Sequence, residues 1–295
     1  MTMKSGLLVA PAVAATLMLA GLTLGGLSLA GAASAETLDR IRQDGAIRIA
    51  YREDAPPFSL KGEGGTPAGY SVELCRAVAD DIKRQLNLAK LDVKYVLVTA
   101  ADRFEAIEKG RADLLCEATT ATLSRRKLVD FSISTFVSGA SLMIKPGGPT
   151  TFEALVGQKI GVLGGTTTEE ALRNSLASHK MKAEVVVVKS HPEGLKLLAA
   201  GDVAAYFGDR TILQFMQRDD KVAAGLLLAN DYLTFEPYAL GVPHGDDPFR
   251  LAVDTALSRI YRSGDIQPIF VKTFGKNVKP SELVKALFLI ASLPE

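Results

Sequence analysis

The stretch AIRIAY at residues 46–51 is short, mostly apolar and isoleucine-bearing, and it predicts a β-strand. The two stretches behind it, REDAPPFS and the glycine-rich KGEGGTPAGY, break the pattern and read as loop and turn. From Ser71 to Leu86 the period changes: Val72, Leu74, Cys75, Val78, Ala79, Ile82 and Leu86 recur at helical spacing, predicting an amphipathic helix capped by Ser71. LDVKYVLVT is the next strand, a helix follows from about Asp102, and ADLLCEA is a short strand. Strands alternating with helices predict an α/β sandwich with a mainly parallel sheet.

The same rhythm then repeats. QKIGVLGG, AEVVVVK and VAAYFG read as strands, and TTTEEALRNSLAS, HPEGLKLLAAG and DRTILQFMQR as the helices that follow them. Between the two runs SGASLMIKPGGPT is strand-like and ends in a proline and glycine cluster, and FEPYALGVPHGDD does the same after the second run. Two α/β units joined by two such crossings predict two lobes with a hinge. Helical periods return at 247–261 and 266–274, and SELVKALFLIASL reads as a final helix packed on a lobe.

The first thirty-five residues change the picture of where the chain works. They carry one charge, Lys4, then a long apolar stretch from Gly6 to Ala30 and the tripeptide Ala33-Ser34-Ala35. This is the order of an export signal cleaved after Ala35; an uncleaved stretch of that length would also reach across a bilayer. Removing it takes the formal net charge from +1 to zero. A neutral chain gives no reason to expect nucleic acid, which calls for a basic stripe. The 260 residues that remain suffice for two ordinary lobes. Two cysteines, Cys75 and Cys116, in an exported chain suggest one disulfide, with two buried free thiols as the alternative.

Candidate chemistry concentrates in TTATLSRRKLVDFS at 119–132. Arg125, Arg126 and Lys127 read either as the solvated side of a short helix over Leu128, Val129 and Phe131, or as holding one arginine turned inward to grip a carboxylate beside a hydroxyl. In GGTTTEE, Gly164 and Gly165 end a strand and Thr166, Thr167 and Thr168 open a helix, so backbone N–H groups and hydroxyls converge where the helix dipole favours an anion. No lysine follows those glycines, so this is not a P-loop. His179, His191 and His244 are scattered, and no HExxH, cysteine cluster or complete nucleophile elbow is present. The expectation is therefore no metal, no cofactor and no catalysis.

Five ordered stretches carry a resemblance to a known family: APPFS with GYSVELC, GRADLLCEATTATLSRRKLVDFS, VGQKIGVLGGTTTEEAL, LLAAGDVAAYFGD, and EPYALGV. Their order and spacing from Gly45 to about Phe274 resemble the periplasmic solute-binding proteins for polar amino acids (bacterial extracellular solute-binding family 3), the binding components of ATP-driven importers. YRED, TAADRFEAIEKG, the ELC and LLCE pair and VKSHPE are similar to its glutamate/aspartate-binding branch. The resemblance implies a type II periplasmic binding fold, with one lobe from 36–140 and 237–295 and the other from 141–236. It implies a monomer in the periplasm that delivers an amino acid to a membrane permease. A dehydratase-like enzyme or a sensor domain for a small carboxylic acid stands as the alternative on the same fold.

The resemblance also assigns residues. Arg125, five positions after Thr120, would take the α-carboxylate with the Thr120 hydroxyl, while Arg126 and Lys127 stay in solvent. The Ala118 carbonyl and the Asp209 carboxylate would take the α-ammonium. Arg52, Arg103 and His191 would read the side chain, three cationic groups that suit a dicarboxylate. Cys75 and Cys116, neighbours in the first lobe of the family, would form a disulfide. Four positions depart from the branch: Glu117 replaces a usual glycine, Ala100 and Ala118 replace frequent hydroxyls, and Arg210 adds a cation beside Asp209 that would compete for its carboxylate.

Overall fold

The strand predicted first forms as β1 (Ala46–Tyr51) and is buried along nearly its whole length, which is why its sequence runs apolar instead of alternating. The computed structural model describes residues 36–230 and 232–294; the export leader and its cleavage after Ala35 lie outside the described residues. β1 pairs in parallel with β5 (Asp92–Leu97) and with β6 (Leu114–Leu115). β13 (Glu236–Pro243) runs antiparallel to β6 and to β7 (Val129–Ser138), completing a five-stranded sheet of order β5-β1-β6-β13-β7.

A second five-stranded sheet has the order β10-β9-β11-β8-β12. β9 (Lys159–Leu163) lies in parallel between β10 (Glu184–Val188) and β11 (Ala205–Asp209), whereas β8 (Ala140–Ile144) is antiparallel to β11 and to β12 (Leu227–Leu228). Each sheet therefore has a parallel core of three strands, then one strand running against it, β13 or β8, and an edge strand, β7 or β12, that pairs antiparallel to that one. The antiparallel ones flank the crossings between lobes, a feature that the mainly parallel reading left out. α2 (Tyr70–Gln85), α7 (Asp247–Ser263) and α8 (Ile266–Phe274) pack together on the first sheet with α1 (Glu36–Asp44), α3 (Arg103–Glu108) and α9 (Glu282–Ile290), while α4 (Thr167–Ser178), α5 (His191–Ala200) and α6 (Arg210–Asp219) cover the second.

Only Gly139 separates β7 from β8, so the chain passes from one sheet to the other in a single residue. A Cβ there would come within 1.9 Å of the Thr234 carbonyl oxygen, and glycine alone lets the two crossing segments meet. The crossing is stitched by Arg210 N–H to the Gly139 carbonyl and Leu233 N–H to the Ala140 carbonyl, both at 2.8 Å.

Three local expectations change. Ser71 is not the cap of α2: the helix starts one residue earlier behind Gly69, at φ 116°, and its first amides are taken by loop carbonyls, Tyr70 N–H by Pro57 at 2.8 Å and Ser71 N–H by Phe58 at 3.0 Å. The Ser71 hydroxyl turns inward and donates to the Glu117 carbonyl at 3.1 Å. The stretch read as loop and turn holds a small antiparallel sheet, β2 (Asp54–Ala55), β3 (Ser59–Lys61) and β4 (Pro67–Ala68). ADLLCEA contributes only Leu114–Leu115 to the ladder.

Beneath the junction of the lobes Phe58 packs edge-on against Phe136 and Tyr238, with ring centres 5.0 and 5.2 Å apart, and Phe136 stacks on Phe274 at 5.7 Å. Beside this cluster a disulfide joins Cys75 of α2 to Cys116, both fully buried and 41 residues apart in sequence. A cross-link closing a loop of that length is expected to contribute about 2–4 kcal/mol through the unfolded chain. Urea unfolding of the mature protein with and without reductant, and of Cys75→Ala/Cys116→Ala, should show that loss; equal stability with and without the cross-link would exclude it.

Candidate functional site

The two lobes face each other across a small cleft, and each predicted ligand-binding residue lines it: Arg52, Arg103, Ala118, Thr120 and Arg125 from the first lobe, Thr166, Thr167, His191 and Asp209 from the second. The cleft is closed. Thr120 Oγ1 lies 3.2 Å from Thr167 Oγ1, and Arg103 Nη2 donates across the gap to the Gly165 carbonyl at 3.1 Å.

The first lobe supplies the cations. Arg52 follows β1 and is 2% exposed. Its Nη1 donates to Glu117 Oε2 at 3.1 Å and its Nε to Asp54 Oδ1 at 2.9 Å, while Nη2 lies 2.8 Å from the same Asp54 oxygen. Burial opposes the Arg52 charge, but Glu117 and Asp54 more than offset it, and the group holds its proton more tightly than usual. Arg103 opens α3, also 2% exposed, with Nε 3.2 Å from Glu117 Oε1 and Nη1 donating to the Ala100 carbonyl. Burial, opposed by Glu117 and reinforced by Arg125 and Arg52, lowers Arg103 to about 10, still charged at neutral pH. Both guanidinium groups are therefore paired with the chain's own carboxylates.

The basic run after β6 divides between the cleft and solvent. Arg125 is partly buried, donates from Nη1 to the Thr120 carbonyl at 2.9 Å and lies 5.2 Å over the Phe104 ring. Arg126 and Lys127 are exposed. Burial pulls Arg125 below its ordinary value.

On the facing lobe Thr166 caps α4, accepting the Glu169 N–H at 3.1 Å, and Glu169 Oε2 in turn accepts the Gly165 N–H at 2.9 Å. These two amides are thus already spent within the helix start, so the anion-friendly surface is narrower than GGTTTEE alone implies. Asp209 ends β11 and caps α6, accepting the Ile212 N–H at 3.0 Å while the Tyr238 hydroxyl donates to its other oxygen. Burial raises the Asp209 carboxyl to about 6. Arg210 does not compete for it: its guanidinium turns to the Ala229 carbonyl and lies 5.4 Å over the Tyr232 ring.

His191, at the first turn of α5, is 3% exposed and its Nδ1 lies 3.0 Å from the Tyr206 hydroxyl. The Tyr206 ring sits so close to α5 that a Cβ at Gly194 would approach it to 2.0 Å. Burial, with Arg52 nearby, lowers His191 to about 4, so it brings a neutral imidazole and not the third side-chain cation expected from sequence.

Sequence reasoning missed Asp54 and Glu236. Glu236 opens β13 at the second crossing, is 6% exposed, and its Oε2 accepts from both Thr120 and Thr167, one hydroxyl from each lobe. Its only signal in sequence was its place in FEPYALG, at the second crossing.

Residues 47–276 match the bacterial extracellular solute-binding proteins, family 3. The chain belongs to that family. It is 33% identical to the L-glutamate/L-aspartate-binding protein of Pseudomonas aeruginosa over 84% of this chain and 82% of that one, and 28% identical to the glutamate/aspartate import solute-binding protein of Escherichia coli over 85% and 83%. Among solved structures, an ancestral amino acid-binding protein described as a precursor of cyclohexadienyl dehydratase superposes with a TM-score of 0.71 at 25% identity, covering 81% of this chain and 99% of that one. The solute receptor for L-cysteine of Neisseria gonorrhoeae gives 0.73 at 24% identity, over 83% and 97%. The fold of this family member is thus the two-lobed type II periplasmic binding fold, and the relatives matched in sequence are binding proteins.

A neutral His191 has a direct consequence. Its ring resonances should not titrate between pH 5.5 and 8, given a value near 4. Proton–nitrogen spectra of imidazole-labelled protein check this, and a midpoint near 6.5 assigned to His191 would contradict the burial argument.

Proposed function

We propose that the protein captures a polar α-amino acid, of the glutamate and aspartate kind that its named relatives bind, by closing its lobes on the zwitterion. The lobes that move are residues 36–140 with 237–295, and 141–236. The observation that carries the proposal is the placement of Arg125 and Asp209 on opposite lobes of one closed cleft. A zwitterion leaving water must have both charges matched, or desolvation costs several kcal/mol per ion. Arg125 suits the α-carboxylate, joined by the Thr120 and Thr167 hydroxyls once they turn from Glu236 to the ligand, and Asp209 with the Ala118 carbonyl suits the α-ammonium. A ligand bearing both groups pairs the charged residue of each lobe.

Arg52 and Arg103, with the His191 imidazole, line the same cleft and would read the side chain. Export to the periplasm, removal of residues 1–35, action as a monomer without cofactor and delivery to the permease of an ATP-driven importer complete the proposal. Family membership and the named relatives favour binding over turnover. The dehydratase precursor is a likeness at 25% identity, and turnover of a prephenate-like acid would favour that alternative.

Arg125→Ala should leave a carboxylate unpaired in a closed cleft, costing roughly 2–5 kcal/mol, or on the order of 30- to 5,000-fold in affinity. Arg126→Ala, at a solvated charge, should change affinity by less than about threefold. Calorimetric titration with glutamate, aspartate and glutamine compares them, and equal losses would reject the inward-facing role of Arg125.

Binding should also depend on pH through Asp209. Burial raises its carboxyl to about 6, so below that pH the ligand-free protein holds it protonated, and the ammonium must expel the proton to be paired. Affinity is therefore full above pH 7 and should fall by up to about tenfold per unit below 6. Asp209→Asn should bind weakly with little slope between pH 7.5 and 5. A wild-type affinity independent of pH across that range would remove the carboxylate from the ammonium site.

A further inference from the structure

Glu117 is 1% exposed and, without lining the cleft itself, pairs with two arginines that do, with Oε2 3.1 Å from Arg52 Nη1 and Oε1 3.2 Å from Arg103 Nε. The Thr119 hydroxyl donates to Oε1, and the Glu117 backbone carbonyl is fixed by Ser71 at 3.1 Å, so the side chain is held in place from both ends. Asp54 takes the remaining face of Arg52 at 2.8 Å. Two guanidinium charges therefore meet two carboxylate charges, and the part of the cleft that would read a side chain is formally neutral.

A ligand carboxylate placed there gains the attraction of two arginines and meets the repulsion of a carboxylate already bonded to both. A carboxamide of the same shape loses most of the attraction and escapes the repulsion. Its oxygen still accepts from a guanidinium, and being neutral it meets no repulsion from the buried Glu117 carboxylate behind the two arginines.

We infer that Glu117 is a specificity-determining residue that widens the ligand class from acidic amino acids to their side-chain amides, glutamine and asparagine, by supplying from the chain the negative charge that Arg52 and Arg103 would otherwise take from the ligand. This rests on the proposed amino-acid site and concerns only how it discriminates between side chains. Specificity is the difference between two affinities, and here the counter-charge penalises the acid and spares its amide.

The test is calorimetric titration of the wild-type protein, Glu117→Gln and Glu117→Gly with glutamate, glutamine, aspartate and asparagine. The wild-type protein should bind glutamate and glutamine within about tenfold of each other, and Glu117→Gln, which keeps the shape and removes the charge, should raise the ratio of glutamate to glutamine affinity by at least about tenfold. Retained glutamine binding by either variant shows that it is folded, and Glu117→Gly repeats the comparison with the side chain removed. A strut that merely holds the cleft wall would weaken acid and amide alike, and an unchanged ratio in both variants overturns the inference. So does a wild-type preference for glutamate over glutamine above about a hundredfold. Failure of the wild-type protein to bind any of the four amino acids overturns the amino-acid reading itself, a different result from binding with an unaltered ratio.

Discussion

Charge removed from water is the constraint on which the rest of this structure depends. Arg52, Arg103, Glu117, Asp209 and Glu236 are each less than a tenth exposed and Arg125 is partly buried; all but Glu117 line one cleft, and Glu117 pairs with two of the arginines that do. An unpaired ion in such surroundings costs several kcal/mol, so each must find a partner within the chain or in a ligand. The solutions come from different elements: a β-strand end for Arg52, a helix start for Arg103, a helix cap for Asp209, and a crossing strand for Glu236. Holding those elements in register is the task of the packed layers beneath. The aromatic cluster around Phe58 and Phe136 sets the height of Tyr238, whose hydroxyl reaches Asp209, and the Cys75–Cys116 disulfide fixes the residue next to Glu117.

Much of this was legible in the sequence because apolar periodicity is local. The buried run AIRIAY and the alternation of strands with helices follow from which positions avoid water, and those positions repeat within a few residues. The residues alone left open which of Arg125, Arg126 and Lys127 turns inward; the resemblance assigned Arg125, five positions after Thr120, and Arg125 is partly buried while Arg126 and Lys127 are exposed. What stayed hidden was pairing between distant residues. Nothing near Glu117 in sequence announces Arg52, 65 positions away, and nothing near Glu236 announces Thr120, 116 positions away.

The charge state of His191 was hidden for a related reason. A histidine behind Ser190 and before a proline reads equally well as a cationic ligand or as a neutral hydrogen-bonding ring. The choice is made by Tyr206 and by the burial that α5 imposes when Gly194 lets that ring approach. Ser71 shows the same limit on a smaller scale: its type and position suit a cap, but Gly69 turns the chain so that loop carbonyls do that work and the hydroxyl faces inward.

The crossing strands show why the binding groups and the connection between lobes lie together. Gly139 and Thr234 bring the two crossings into van der Waals contact, Asp209 ends the strand beside the first, and Glu236 opens the strand after the second. The Glu236 carboxylate accepts hydroxyls from Thr120 on one lobe and Thr167 on the other, so its hydrogen bonds exist together only when the lobes meet. In the proposed opening the carboxylate would stay with the crossing strand while the two hydroxyls part with their lobes, so the paired contacts of Glu236 belong to the closed state.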